Sequence, residues 1–111
     1  MINFHNKQFA LVQNSENGAV DPEVHFHYQQ EGDLVTADYA GGPIRYGKII
    51  ARLQEDHLDM LYQCLTTENE LKAGKALAKI TLDDRGKIRL KLNWEWLDAE
   101  GRTGVSEYVE L

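Results

Sequence analysis

With 111 residues the chain has room for one compact domain, 1–111, and is too short for two. Its 42% hydrophobic and 27% charged residues exclude a disordered chain, and a net charge of −6 argues against a nucleic-acid partner, which would demand clustered Lys and Arg. The one cysteine, Cys64, excludes an internal disulfide and fits a reducing, cytoplasmic setting.

The N-terminal stretch "MINFHNKQFALVQNS" holds only one apolar run, "FALV". Four residues fall far short of a signal-peptide core or a membrane span, so no membrane partner is expected. The polar stretch "NSENGAVDPE" (14–23) reads as an extended loop. Beyond it, "VHFHYQ" (24–29) alternates as a half-buried strand does, with Val24, Phe26 and Tyr28 inward and His25 and His27 outward. "LVTADY" (34–39) is a strand whose inward face the pattern leaves open. "IRYGKIIARL" (44–53) is another, and Gly47 within it marks a bulge, a bend or a close approach. In "HLDMLYQCLT" (57–66), Leu58, Met60, Tyr62 and Cys64 share one face. Leu61 and Leu65 on the other face are candidates for contact with a second subunit or with the N-terminal segment.

The segment "TENELKAGKALAKI" (67–80) sends mixed signals. Ala, Leu, Lys and Glu favour a helix, and Thr67 with Glu70 has capping-box spacing. As a strand, Leu71, Ala73 and Leu77 alternate with Lys72, Gly74 and Ala76. Gly74 in mid-helix would cost about 1 kcal/mol. The flanking segments are hairpin-like, so the strand is favoured. "KIRLKLNWEWL" alternates cleanly: Ile88, Leu90, Leu92, Trp94 and Trp96 form a buried stripe, with Arg89, Lys91, Asn93 and Glu95 on the wet face. Its basic run is then a solvated strand face rather than an anion site. "RTGVSEYVEL" (102–111) closes the chain, with Val105, Val109 and Leu111 on the face of Glu107.

Turn signals separate these segments: "ENG" (16–18), "EGD" (31–33), "GGP" (41–43), "QEDH" (54–57), "TENE" (67–70), "DDRG" (83–86) and "DAEG" (98–101). Pro22 and Pro43 fall at joints and never inside a segment. Segments of 8 to 12 residues between turns describe an antiparallel meander. About eight such strands without a helical crossover predict an all-β fold, an up-and-down antiparallel barrel of the lipocalin or streptavidin type. A barrel of that size is either filled by its side chains or holds one small ligand.

The stretches "YAGGPIRYGKI" (39–49), "DMLYQ" (59–63) and "GKIRLKLNWEW…GVSEYVE" (86–110) resemble a family of small bacterial proteins that carry the label N-acetylglutamate synthase. The matching residues are Tyr39, Gly41, Gly42, Ile44, Gly47, Asp59, Tyr62, Trp94, Trp96, Gly104 and Ser106. Asn93 stands where that family has an acid before the first tryptophan. The label implies an acyltransferase. The residues themselves lean away from an enzyme, because "GGPIRYG" puts a proline and strand-like residues where a coenzyme A pyrophosphate loop would open a helix.

No other motif supplies catalytic residues. His25 and His27 have the spacing of two imidazoles on one strand face but lack a third metal ligand, and Cys64 in an apolar strand reads as a small hydrophobe. No metal or cofactor is expected. The aromatics carry more. Five Tyr and two Trp exceed what packing so small a barrel demands. Tyr39, Tyr62, Trp94, Trp96 and Tyr108 are the candidate ligand-binding residues, lining a cavity at one end as in the ligand-binding barrels of the lipocalin and avidin kind. The expected partner is a small apolar or aromatic molecule. A homo-oligomer is left open, as is a filled core serving only as an interaction domain.

Overall fold

The computed structural model describes residues 2–14, 23–97 and 103–111. Eight strands run in chain order: β1 (Lys7–Asn14), β2 (His25–Glu31), β3 (Leu34–Gly41), β4 (Ile44–Gln54), β5 (His57–Thr66), β6 (Leu71–Leu82), β7 (Ile88–Trp96) and β8 (Thr103–Glu110). Each pairs antiparallel with its sequence neighbour, and β1 closes on β8 through partners such as Phe9 with Glu110 and Leu11 with Tyr108. The expected up-and-down barrel is what forms, and closure leaves no unpaired sheet edge. Among the described residues there is no helix, and so none long and apolar enough to cross a membrane. The expected turns at 31–33, 41–43, 54–57, 67–70 and 83–86 fall at strand junctions. Those at 16–18 and 98–101, the rest of the extended loop and Pro22 lie outside the described residues.

Alternation sets what faces inward. Phe26 and Tyr28 on β2, Val35, Ala37 and Tyr39 on β3, and the stripe from Ile88 to Trp96 on β7 are all buried. Leu58, Met60 and Cys64 on β5 are buried as expected, with Tyr62 half-buried, while Leu61 is exposed. On β4 a register shift between Ile44 and Tyr46 sends both Arg45 and Tyr46 outward before Gly47 turns in again.

The mixed segment resolves as a strand, with its polarity reversed from a simple reading. Gly74, Ala76, Ala78 and Ile80 face inward, and Leu71 and Leu77 face out. The partners explain the choice: Gly74 sits opposite Trp96, Ala76 opposite Trp94, and Ala78 opposite Leu92. Small residues on β6 make room for large ones on β7. No capping box forms at its start. Thr66 Oγ1, not that of Thr67, accepts from the Glu70 amide at 3.1 Å, and Asn69 takes φ 64° in a turn. Strand β8 is also reversed from its apolar pattern, since Ser106 and Tyr108 are buried and Val105 is exposed.

One end of the barrel is sealed by the N-terminal segment. Phe4 is fully buried, its ring centroid 5.9 Å from that of Phe9 and 5.5 Å from that of Tyr28. Its amide donates to Gln30 Oε1 at 2.8 Å, and the Lys7 amide returns to the Phe4 carbonyl at 3.1 Å. This end also carries the short turns β2–β3, β4–β5 and β6–β7. Here Glu110 accepts from the Ile88 amide at 3.0 Å and pairs with Lys7 at 3.1 Å, tying β1, β7 and β8 together.

Candidate functional site

At the other end, β3, β5 and β7 finish and β4, β6 and β8 begin. Tyr39 on β3, Tyr62 on β5 and Trp94 and Trp96 on β7 lie toward this end, buried except for half-buried Tyr62; Tyr108 is also buried but lies deeper, opposite Leu90 and two residues from Glu110. The structure adds Phe26 to them. Phe26 stacks on Tyr39 at 4.8 Å between centroids and meets Tyr108 edge-on at 4.9 Å. Across the barrel, Trp96 lies 5.8 Å from Tyr62 and 5.9 Å from Trp94. The site therefore consists of two aromatic groups, one on β2, β3 and β8 and one on β5 and β7.

Polar atoms join the two. Trp94 Nε1 donates to Ser106 Oγ at 2.8 Å, and Ser106 also hydrogen-bonds Tyr108. The Tyr39 hydroxyl donates to the Gln63 carbonyl at 3.3 Å and lies beside the Cys64 thiol. Burial pushes the hydroxyls of Tyr39, Tyr62 and Tyr108 well above the usual phenol range, and Tyr39 and Tyr62 are raised further by Cys64. At neutral pH these phenols present O–H groups and no charge. Such phenols can hydrogen-bond a guest and pack against rings.

Two glycines set the depth of the tyrosines. Tyr39 is the cross-strand partner of Gly47 and Tyr62 that of Gly74. A Cβ at either glycine would overlap the tyrosine ring, so each ring lies flat against bare backbone. The close approach expected at Gly47 is thus real, and its cause is a ring. Placing aromatic rings along the wall, rather than across the lumen, is what lets one small barrel carry so many.

Lys72 was not among the candidates, yet it belongs to this end. It pairs with inward-facing Cys64 and precedes inward-facing Gly74, and its Nζ stands 5.5 Å from the centroid of Trp96. A lysine in a helix-like sequence gave no hint of facing inward. Ser106, flanked in sequence by Val105 and Glu107, also belongs here, and its burial follows from the inward turn of β8 that its apolar pattern did not announce.

Residues outside the cluster fall where alternation put them. Glu95 points outward, 3.5 Å from Lys75, and is not held between the tryptophans. His25 and His27 are exposed on β2, with His27 Nε2 3.3 Å from Asn6 Oδ1. No group of three metal-ligating side chains occurs among the described residues.

A family model covers nearly the whole chain: the one described as avidin-like protein matches residues 2–111. It carries no acyltransferase description, so the label attached to the sequence resemblance finds no support. No curated protein and no solved structure matches.

Proposed function

The chain belongs to the avidin-like family, and we propose that it binds a small apolar or aromatic molecule inside its barrel, at the end opposite Phe4. Tyr39, Tyr62, Trp94 and Trp96 would form its walls, with Tyr108 deeper beneath them. One observation carries the reading: Tyr39, Tyr62 and two indoles gather toward one end, while the other end is plugged by Phe4. A protein needing only a packed core gains little from three tyrosine hydroxyls inside it, since each needs a partner once buried.

Native mass spectrometry of freshly purified protein is the first test, with a retained small molecule expected. Tryptophan fluorescence titration should follow, using a panel of ring compounds that includes biotin. Quenching that saturates, and that is lost in Trp96→Ala, supports the proposal. A protein that retains nothing and responds to no compound would return the filled-core interpretation to first place.

The outer wall supports a second part of the reading, self-association. Ile50 and Leu61, direct partners across β4 and β5, are 56% and 59% exposed, and Leu77 and Leu34 extend their patch. Two ion pairs flank it, Arg52 with Asp59 and Lys75 with Glu95, so these four charges oppose close approach of a second copy less than unpaired ones would. Sedimentation should give more than a monomer, and Leu61→Lys should return a monomer. A monomeric wild type would remove this part alone.

A further inference from the structure

We propose that the end of the barrel closed by Phe4 is a second binding site, a socket for a benzyl group with an adjacent amide N–H, which Phe4 fills as a built-in competitor. The ligand class is phenylalanine-like: an acylated phenylalanine, or a phenylalanine within a peptide. This socket lies at the opposite end from the proposed ligand site, and neither reading depends on the other.

The socket belongs to the sheet and its occupant does not. Phe9 on β1 and Tyr28 on β2 form its walls, with their rings edge-on at 4.9 Å. The buried Phe4 ring packs against both, at 5.9 Å and 5.5 Å between centroids. Its amide donates to Gln30 Oε1 at 2.8 Å. Gln30 is braced from the other side, because its Nε2 donates to the Gly32 carbonyl at 2.8 Å in the β2–β3 turn. Walls and acceptor therefore all sit on β1 and β2, whose pairing begins at Lys7 opposite Tyr28. Residues 2–6 lie outside that pairing.

Phe4 is held as a tethered ligand is held. A turn closed by the Lys7 amide on the Phe4 carbonyl, with Asn6 at φ 58°, joins it to β1. Asn6 Oδ1 meets His27 Nε2 at 3.3 Å and Gln29 Nε2 at 3.4 Å, long contacts between exposed side chains that hold little. Rotation about Asn6 withdraws Phe4 and keeps every β1 pairing from Lys7 onward. Left behind are a ring-sized apolar space and Gln30 Oε1 freed of its donor. A phenylalanine-like guest answers both at once, with its ring in the space and its N–H on the amide oxygen.

The alternative is a permanent cap, a core phenylalanine and nothing more. Titration of N-acetyl-L-phenylalaninamide into Phe4→Ala and wild type, followed at the Gln30 side-chain amide by nuclear magnetic resonance, separates the two. In Phe4→Ala the probe should saturate and N-acetyl-L-alaninamide should not bind. The ester analogue, with oxygen in place of the N–H, should bind about tenfold more weakly. Wild type should take the probe about a hundredfold more weakly than Phe4→Ala, the scale set by burying one phenyl ring. The capped peptide Ile-Asn-Phe-His-Asn, residues 2–6 of this chain, identifies the source. Tighter binding than the amide assigns the socket to a peptide segment, and equal binding assigns it to a free amino-acid derivative. In wild type alone, the Phe4 and Lys7 amides should exchange hydrogen at least about tenfold faster than the ladder amides of β6 and β7, and faster still with the probe present. If Phe4→Ala takes neither probe nor peptide, or takes the alanine and phenylalanine amides alike, the socket is overturned and the ligand site at the other end is untouched. If wild type binds the probe as tightly as Phe4→Ala, the competing role of Phe4 falls. Should Phe4→Ala fail to fold, exchange decides: Phe4 and Lys7 amides that open only with the whole sheet and ignore the probe overturn the proposal.

Discussion

Trp94 and Ser106 are joined by a 2.8 Å hydrogen bond from indole nitrogen to hydroxyl, with both side chains buried. Ser106→Ala removes the acceptor and leaves the indole N–H without it. Chemical denaturation should show a loss of about 1–3 kcal/mol, the cost of stranding a buried donor. Trp94→Ala should cost about 3–5 kcal/mol if the ring fills a packed core. A clearly smaller loss, with weakened ligand binding, is expected if it lines an open pocket.

The outward carboxylate between the tryptophans should matter little. Glu95→Gln removes a solvent-exposed pairing with Lys75 and should shift stability by no more than about half a kcal/mol. A larger loss in the same denaturation experiment would mean that strand β7 faces the other way.

The two ring-bearing glycines should respond unequally to a methyl group. Tyr39 is boxed in by Phe26 and cannot yield, so Gly47→Ala should cost about 1–3 kcal/mol through overpacking. Tyr62 is only half-buried and can swing toward the rim, so Gly74→Ala should cost less. Thermal melts of the two variants, run side by side, check the order.

Alkaline unfolding should begin near the ordinary phenol pKa. Burial raises the folded-state values of Tyr28, Tyr39, Tyr62 and Tyr108. The stabilisation is therefore complete below the unfolded value of about 10 and drains away as pH rises above it. Tyrosinate absorbance from these four should appear together with loss of near-ultraviolet circular dichroism, not before it. Separate transitions would show that the phenols ionise within an intact barrel.

At acid pH the sign reverses. Burial tends to raise the Glu110 pKa, but the Ile88 amide and Lys7 outweigh it and hold the carboxyl below its usual range. Its contribution is present above the unfolded carboxylate value of about 4.3 and is lost as pH falls through the lower folded value. Glu110→Gln should lower the melting temperature at neutral pH and flatten its decline in acid.

Much of this architecture is legible in the sequence because alternation and turn residues are local. Strands β2, β5 and β7 announce both their existence and their inward faces, and β7 delivers both tryptophans to the site. Strands β6 and β8 announce only two faces. On β6 the leucines lie outside, and the inside positions opposite Trp94 and Trp96 are held by Ala76 and by Gly74, which the Tyr62 ring covers. Phe4 and Lys72 were illegible for a different reason. Each takes its role from neighbours far away in sequence, Tyr28 beside the one and Trp96 beneath the other.

The seam between β1 and β8 has a consequence in time. Seven of the eight pairings join neighbouring strands, but Phe9 meets Glu110 across nearly the whole chain. Loop closure over that distance carries an entropic cost that hairpin pairing avoids, so the meander should assemble from its hairpins and the ring should shut last. Contacts made after the rate-limiting step govern how fast a protein comes apart, not how fast it forms. The Lys7–Glu110 pair is then the latch on the native state's lifetime: cutting it should quicken unfolding while leaving refolding almost untouched.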